Sequence, residues 1–215
     1  TRLARELCKL PDVAQHLAYL DLNSAEGQEY WAAMNLSGDY ASACHHQIHK
    51  KIARSVGAQV LGMVENHHNF AWKEMYNGQE VIVHRKGATP AAKGVLGIIP
   101  GSMTADGFIV KGKGEMAAVN SASHGAGRKM SRTRAIASVT EKQFKDELKK
   151  FSVKLLGGGL DESPFAYKDI EVVMQSQKAL VDVVGKFTPK IVKMDGAKHR
   201  NWGKKREEIT ASLFL

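Results

Sequence analysis

Cysteine is nearly absent: Cys8 and Cys44 are the only two in 215 residues, too few to staple a chain of this size, which excludes the disulfide-framed secreted scaffolds. Proline is scarce as well, 5 residues against 20 glycines, while hydrophobic residues make up 43% and charged residues 25%. That composition belongs to a folded domain and excludes a disordered tail. No stretch approaches the roughly 18 consecutive apolar residues of a membrane span, and no apolar signal region opens the chain. These absences predict a chain of the reducing cytoplasm with no membrane partner. The first residue is Thr1 instead of Met, so the sequence reads as a processed product or a fragment. Its length fits one large domain or two small ones and excludes peptide hormones and large multidomain machines.

Negative charge is in short supply. Asp and Glu total 22 against 31 Lys and Arg, a formal net charge of +9 that favours polyanionic partners. The imbalance is concentrated between Arg85 and Arg134, where Arg85, Lys86, Lys93, Lys111, Lys113, Arg128, Lys129, Arg132 and Arg134 are opposed by Asp106 and Glu115 alone. A solvated basic face would look the same; the glycines woven through this stretch raise the functional reading.

Local signals predict an α+β chain. One long helix is expected over 24–56, capped by Asn23 or Ser24 and stopped at Gly57, with Tyr30, Met34, Tyr40 and Ile48 as its core face and Gly38 as a kink or break. A polar, irregular loop follows around Glu65 to Phe70. The β-branched runs Val81 to Val83, Val95 to Ile99 and Phe108 to Val110 predict strands, with Met116 to Val119 as a fourth. Helices are expected from Gly127 to about Val139, over Glu141 to Phe151, and from about Lys168 to Val184. Gly157 to Gly159 form a hinge, and a strand over Lys190 to Met194 precedes a basic tail. The order of elements lacks the alternation of a Rossmann sheet.

Among groups that could carry chemistry, His45 and His49 are four apart on the first helix and share a face that a divalent metal could use, but no third ligand lies near them in sequence. In His67-His68-Asn69 one imidazole could ligate a metal while its neighbour packs. The most informative segment runs from Ser121 to Arg132. Small residues flank His124, and a helix expected just beyond them would aim free N–H groups at an anion. Arg128 and Arg132, four apart on that helix, would add guanidinium groups on the same side. An imidazole at such a phosphate site can serve as nucleophile or as general acid and base. His84 to Thr89 and Ile99 to Met103 add cations, a tight turn and a hydroxyl, suggesting a nucleotide held by loops at sheet ends.

Five motifs, His-His-Asn-Phe at 67–70, His-Arg-Lys-Gly-Ala-Thr at 84–89, Ile-Pro-Gly-Ser-Met at 99–103, Ser-His-Gly-Ala-Gly-Arg-Lys-Met-Ser-Arg at 123–132 and Asp-Glu-Ser-Pro-Phe-Ala-Tyr-Lys-Asp-Ile at 161–170, together resemble the RtcB family of RNA-splicing ligases across nearly the whole chain. The resemblance implies GTP and Mn2+ as cofactors and a covalent histidine–GMP intermediate formed on His124. It implies joining of RNA 3′-phosphate or 2′,3′-cyclic phosphate ends to 5′-hydroxyl ends, in tRNA splicing or RNA repair, and an archease-like activator as a partner. His68 matches a manganese ligand. Asn69, Pro100, Gly101, Ser102, Met103, Gly125, Ala126 and Gly127 match nucleotide contacts, Tyr167 matches a residue that packs on the guanine, and by the same resemblance Arg85, Lys86, Arg128 and Arg132 would face phosphates of GTP or RNA.

Thr104-Ala105-Asp106-Gly107 lacks the serine hydroxyl of the family pattern, which leaves a backbone group, at Gly107, to substitute for it. Lys193 is the candidate for the base-reading lysine, and Cys44-His45 stands where the family more often has Asn-Arg. The upstream family motifs, an Asp with a nearby Cys, a Gly-Asn-His and a His-Ser-Gly-Ser-Arg, do not occur in this sequence. Residues 1–215 therefore read as the C-terminal part of a single RtcB-like catalytic domain. An RNA-end phosphoesterase and a catalytically silent nucleic-acid-binding fragment are the alternative readings.

Overall fold

A computed structural model describes residues 2–194; the basic tail, with Asp195 and Gly196, lies outside the described residues. The chain divides into two compact units, Thr1–Met63 and Val64–Leu215. The first is helical: α1 (Arg2–Cys8), a 3-10 turn (Asp12–Leu17) and α2 (Ala25–Ser55). Ser24 caps α2 by accepting a hydrogen bond from the Gly27 amide. The expected core face is not a core within this unit. Tyr30, Tyr40 and Ile48 are 58%, 72% and 52% exposed, because α2 is far longer than the short elements that accompany it. Gly38 is buried inside an uninterrupted helix; a single glycine weakens a helix by about 1 kcal/mol without breaking it.

The second unit is a set of small sheets with short helices. A hairpin pairs β1 (Asn69–Tyr76) with β2 (Gln79–Lys86). β3 (Ala88–Pro90) pairs antiparallel with β6 (Ser121–Ser123). β4 (Leu96–Ile99), β5 (Gly107–Gly112) and β8 (Val181–Phe187) form a three-stranded antiparallel sheet, and β7 (Lys154–Gly157) runs parallel to β9 (Ile191–Lys193). Three helices complete it: α3 (Arg132–Ser138), α4 (Glu141–Lys150) and α5 (Ile170–Ser176). One apolar cluster gathers Ile99, Phe108, Val110, Ala122, Ile170, Met174 and Val181 beneath the sheet; the other gathers Met103, Val139, Phe144, Leu148 and Val153 around α4.

The α+β class stands, but four elements differ from the sequence reading. The polar loop gives way to a strand at Asn69, and Met116–Ala118 is a 3-10 turn, the strand coming at Ser121. The helix expected from Gly127 starts only at Arg132, capped by the Ser131 hydroxyl, which accepts from the Arg134 amide. The long helix over 168–184 is instead α5 followed by β8. Val181, Val183 and Val184 are β-branched and lie along the free edge of β5, where pairing outweighs helix continuation.

Candidate nucleotide and phosphate site

The motifs singled out from the sequence lie together in the second unit. β2 ends in a bend at Gly87, whose φ of +73° favours glycine. The Gly87 amide donates to the His68 carbonyl at 3.2 Å, and the His124 amide donates to the Gly87 carbonyl at 3.3 Å. The backbones of the two histidines thus bracket the bend, and their imidazoles stack with centroids 5.1 Å apart and planes at 16°. His124 Nδ1 is buried and has no hydrogen-bond partner. Packing, rather than a bond at that nitrogen, fixes the ring.

The loop after His124 is fastened on three sides. The Ser123 amide donates to Gln177 Oε1 at 2.9 Å, and the Ser123 hydroxyl donates to the Gly125 carbonyl at 2.6 Å. The Ala126 amide donates to the Pro100 carbonyl at 3.1 Å, where a Cβ on Gly125 would come within 3.1 Å of the same oxygen. Beyond Gly127 the chain pairs with the 161–170 motif: Lys168 and Lys129 amides donate to Gly127 and Ala166 carbonyls at 3.0 and 2.8 Å, and Arg128 bridges to Tyr167. His68, Pro100, His124 and Tyr167, distant in sequence, are therefore joined through backbone bonds.

At the open end of the hairpin Asn69 stands opposite Lys86 in register, both exposed beside His68. Arg85 points the other way. It is 3% exposed, makes a two-pronged pair with Glu74 at 2.6 and 2.9 Å, donates through Nε to Ser121 Oγ at 2.8 Å, and stacks 4.9 Å from the Trp72 ring. The expectation that Arg85 faces a phosphate is corrected: it is an internal brace between the hairpin and β6.

In the 99–103 turn Gly101 and Ser102 are half-buried, while the Met103 side chain, 3% exposed, belongs to the core around α4, leaving its backbone as the contact a ligand could use. Gly107 is buried, and a Cβ there would lie 2.2 Å from Phe187 Cζ, so the close approach of that ring requires glycine at this position. Its neighbour Asp106 holds Lys186 at 2.7 Å, and hydrogen bonds from Lys186 and Thr188 keep its carboxyl below the usual range. Lys193 lies over Gly157, and the adjoining Gly158 rests on Met103 Cε, which brings β9 to the back of the same turn.

Arg128 and Arg132 do not share a helix, because Arg128 precedes α3. They meet instead on Glu162, a 7% exposed residue that the sequence reading left without a role. Arg128 Nη1 is 3.4 Å from Glu162 Oε2, and Arg132 Nη2 is 2.7 Å from Oε1. The Tyr167 hydroxyl donates to Oε2, and the Arg128 guanidinium lies 5.1 Å from the Tyr167 ring. Burial, then the Glu162 carboxylate, pushes the Tyr167 hydroxyl up to about 12. Burial also pushes the Glu162 carboxyl up, but hydrogen bonds from Tyr167 and Arg132 and the charge of both arginines outweigh it and hold the group below its ordinary value. The signal available in the sequence was charge complementarity: an acidic pair, Asp161-Glu162, inside a motif otherwise rich in small and apolar residues.

His45, His46 and His49 are exposed on α2 in the first unit. Among the described residues no three His, Cys, Asp or Glu groups converge to hold a metal; His68, the expected ligand, falls short of the several ligands such an ion requires.

A family model described as tRNA-splicing ligase RtcB matches residues 1–195. The chain is 44% identical over 128 residues to RNA-splicing ligase RtcB1 of an Escherichia coli strain, covering 59% of this chain and 31% of that protein. It is 41% identical over 137 residues to RNA-splicing ligase RtcB of Escherichia coli K12, covering 64% and 34%. Against tRNA-splicing ligase RtcB of Methanococcus maripaludis it is 34% identical over 197 residues, covering 77% and 41%. The chain thus spans between 31% and 41% of the length of these relatives.

Proposed function

The chain belongs to the RtcB family, and from that premise we propose that residues 1–215 are the C-terminal part of one catalytic domain of a GTP-dependent RNA ligase and carry its nucleophile, His124. An imidazole nitrogen attacks the α-phosphorus of GTP, a P–N bond forms, and the P–O bond to pyrophosphate breaks. The guanylate then passes to an RNA 3′-phosphate oxygen and frees the histidine, and a 5′-hydroxyl attacks the activated phosphorus, releasing GMP and sealing the strand. A 2′,3′-cyclic phosphate end is opened to the 3′-phosphate first.

The observation that carries this reading is the His124 imidazole, stacked on His68 with a buried, unpartnered Nδ1, at the centre of bends that the other motifs close around. A buried ring nitrogen without a partner is costly unless a ligand completes it. Asn69, the backbone of 100–103 and of 125–127, Tyr167 and Lys193 serve the nucleotide; Lys86 and Arg132 serve phosphates of GTP or RNA, while Arg128, held by Glu162 and by the Met130 and Asp161 carbonyls, braces the Tyr167 side of the site. Manganese is implied by family membership, but the described residues do not make its site, so His68 ligates only together with groups outside them, and no step above is assigned to the metal. RNA bearing the ends named above is the substrate, with an archease-like protein as activator and the cytoplasm as the compartment. Among the described residues no helix is long and apolar enough to cross a membrane.

The test is incubation with radiolabelled GTP and manganese, with the upstream portion of an RtcB chain supplied in cis or in trans. An acid-labile, alkali-stable protein label is expected; its absence from a folded, reconstituted protein contradicts the reading.

A further inference from the structure

Glu162 offers two oxygens to three partners, and the partners are not equivalent. Oε2 accepts from the Tyr167 hydroxyl and from Arg128 Nη1 at 3.4 Å. Oε1 accepts from Arg132 through Nε at 3.1 Å and Nη2 at 2.7 Å. Arg128 is anchored by more than this carboxylate: its Nε donates to the Met130 carbonyl at 3.1 Å, its Nη2 to the Asp161 carbonyl at 2.5 Å, and its side chain is only 25% exposed. Arg132 is held by carboxylates, Glu162 and, at 3.7 Å, Asp161, and its side chain is 64% exposed. One guanidinium is fixed, and the other can turn into solvent for no more than the loss of these ion pairs.

Resting on the ligase reading, we propose that Glu162 is a positioning residue of the phosphate site, a carboxylate that parks the Arg132 guanidinium until a phosphate group of the nucleotide or of an RNA end takes its place. The buried carboxylate is not stranded when Arg132 leaves, because Tyr167 and Arg128 still occupy Oε2, and a buried charge that keeps a hydrogen bond and an ion pair avoids the penalty of an orphan. The incoming phosphate carries more negative charge than the carboxylate and presents oxygens that match the guanidinium fork. The parked arginine is thereby kept oriented at the rim of the loop that carries His124, and it is kept from pairing with other anions.

The test uses the 215-residue protein with two probes, GTP and a short RNA ending in a 3′-phosphate, the latter compared with the same RNA ending in a hydroxyl. Glu162→Gln keeps the shape and an acceptor oxygen but removes the charge, so affinity for the probe that uses Arg132 rises about three- to tenfold. In an Arg132→Ala background the same substitution changes affinity by less than about twofold, the signature of direct coupling; the probe that shows the coupling identifies the source of the phosphate. Equal tightening in both backgrounds marks a general charge effect and overturns the proposal, as does weakening by Glu162→Gln in a protein that circular dichroism shows to be folded. A second measurement needs no substitution at Glu162: in the isotope-labelled protein the Nε–H resonance of Arg132 shifts on adding the probe while that of Arg128 stays. Both moving, or neither, overturns the parking role. If the unaltered protein binds neither probe, the phosphate site itself fails, an outcome distinct from binding without coupling.

Discussion

A nucleophilic imidazole must keep a lone pair available and its ring aimed, and His124 meets the second need without a hydrogen bond at Nδ1, through the stack on His68 and the backbone bond to Gly87. His124→Ala is expected to abolish the covalent GMP label in the reconstituted ligase while leaving the unfolding temperature of the chain within a few degrees, since little buried surface is removed; gel autoradiography and a thermal melt check the two halves. The cluster on Glu162 gives a pH signature. Tyr167 has its folded value raised to about 12, so its contribution to stability is complete below the ordinary phenol value near 10 and is lost as pH rises from there toward 12. Glu162 is lowered, so its contribution is complete above the ordinary carboxylate value and is lost on acidification below it. Denaturant titrations across pH 9 to 12 should show stability falling, and Tyr167→Phe should flatten that fall; an unchanged slope in the variant would contradict the assignment to Tyr167.

At the scale of elements, the β1–β2 hairpin is the frame for His68 and Asn69, and its far strand is tied down by Arg85. Glu74→Ala leaves that guanidinium buried without its carboxylate, and the expected loss is about 2–3 kcal/mol by denaturant titration, at or below the low end for buried pairs because Glu74 is itself partly exposed. The hairpin also shows why sequence reading reached some elements and missed others. Asn77-Gly78, with φ of +50° and +80°, is a strong two-residue turn signal, yet the polar start of β1 hid the strand before it. The run 168–184 reads in sequence as one helix because its apolar residues are dense; Gln177, which leaves the helix and binds the Ser123 amide, marks the break, and only the free edge of β5 decides that the valines after it extend. The loop that carries His124 is legible because its glycines and histidine are local. The inward turn of Arg85 and the meeting of Arg128 with Arg132 on Glu162 were not, because each depends on a partner 11 to 36 residues away.

For the whole molecule, the nine basic residues between Arg85 and Arg134 divide into two groups once folded. Arg85, Lys113, Arg128 and Arg132 pair with carboxylates, Lys113 and Arg132 doing so at the surface, and Lys86, Lys93, Lys111, Lys129 and Arg134 are exposed as well. RNA affinity should therefore fall with salt, and Arg132→Ala should reduce the slope of log affinity against log salt by about one phosphate contact; filter binding at several salt concentrations measures it, and a salt-independent affinity would leave the strip as a solvated face. The chain spans 31% to 41% of the length of the three relatives compared above, and its described residues contain no three-ligand metal cluster. Residues 1–215 alone should accordingly bind manganese weakly, by calorimetric titration, and should not ligate. His124 is the proposed covalent centre, and the measurement that tests it most directly is peptide mass spectrometry after reaction of the reconstituted ligase with GTP and manganese. A GMP adduct on the peptide bearing His124, absent from His124→Ala, is the predicted result; an adduct on any other residue, or one that survives the substitution, would contradict it.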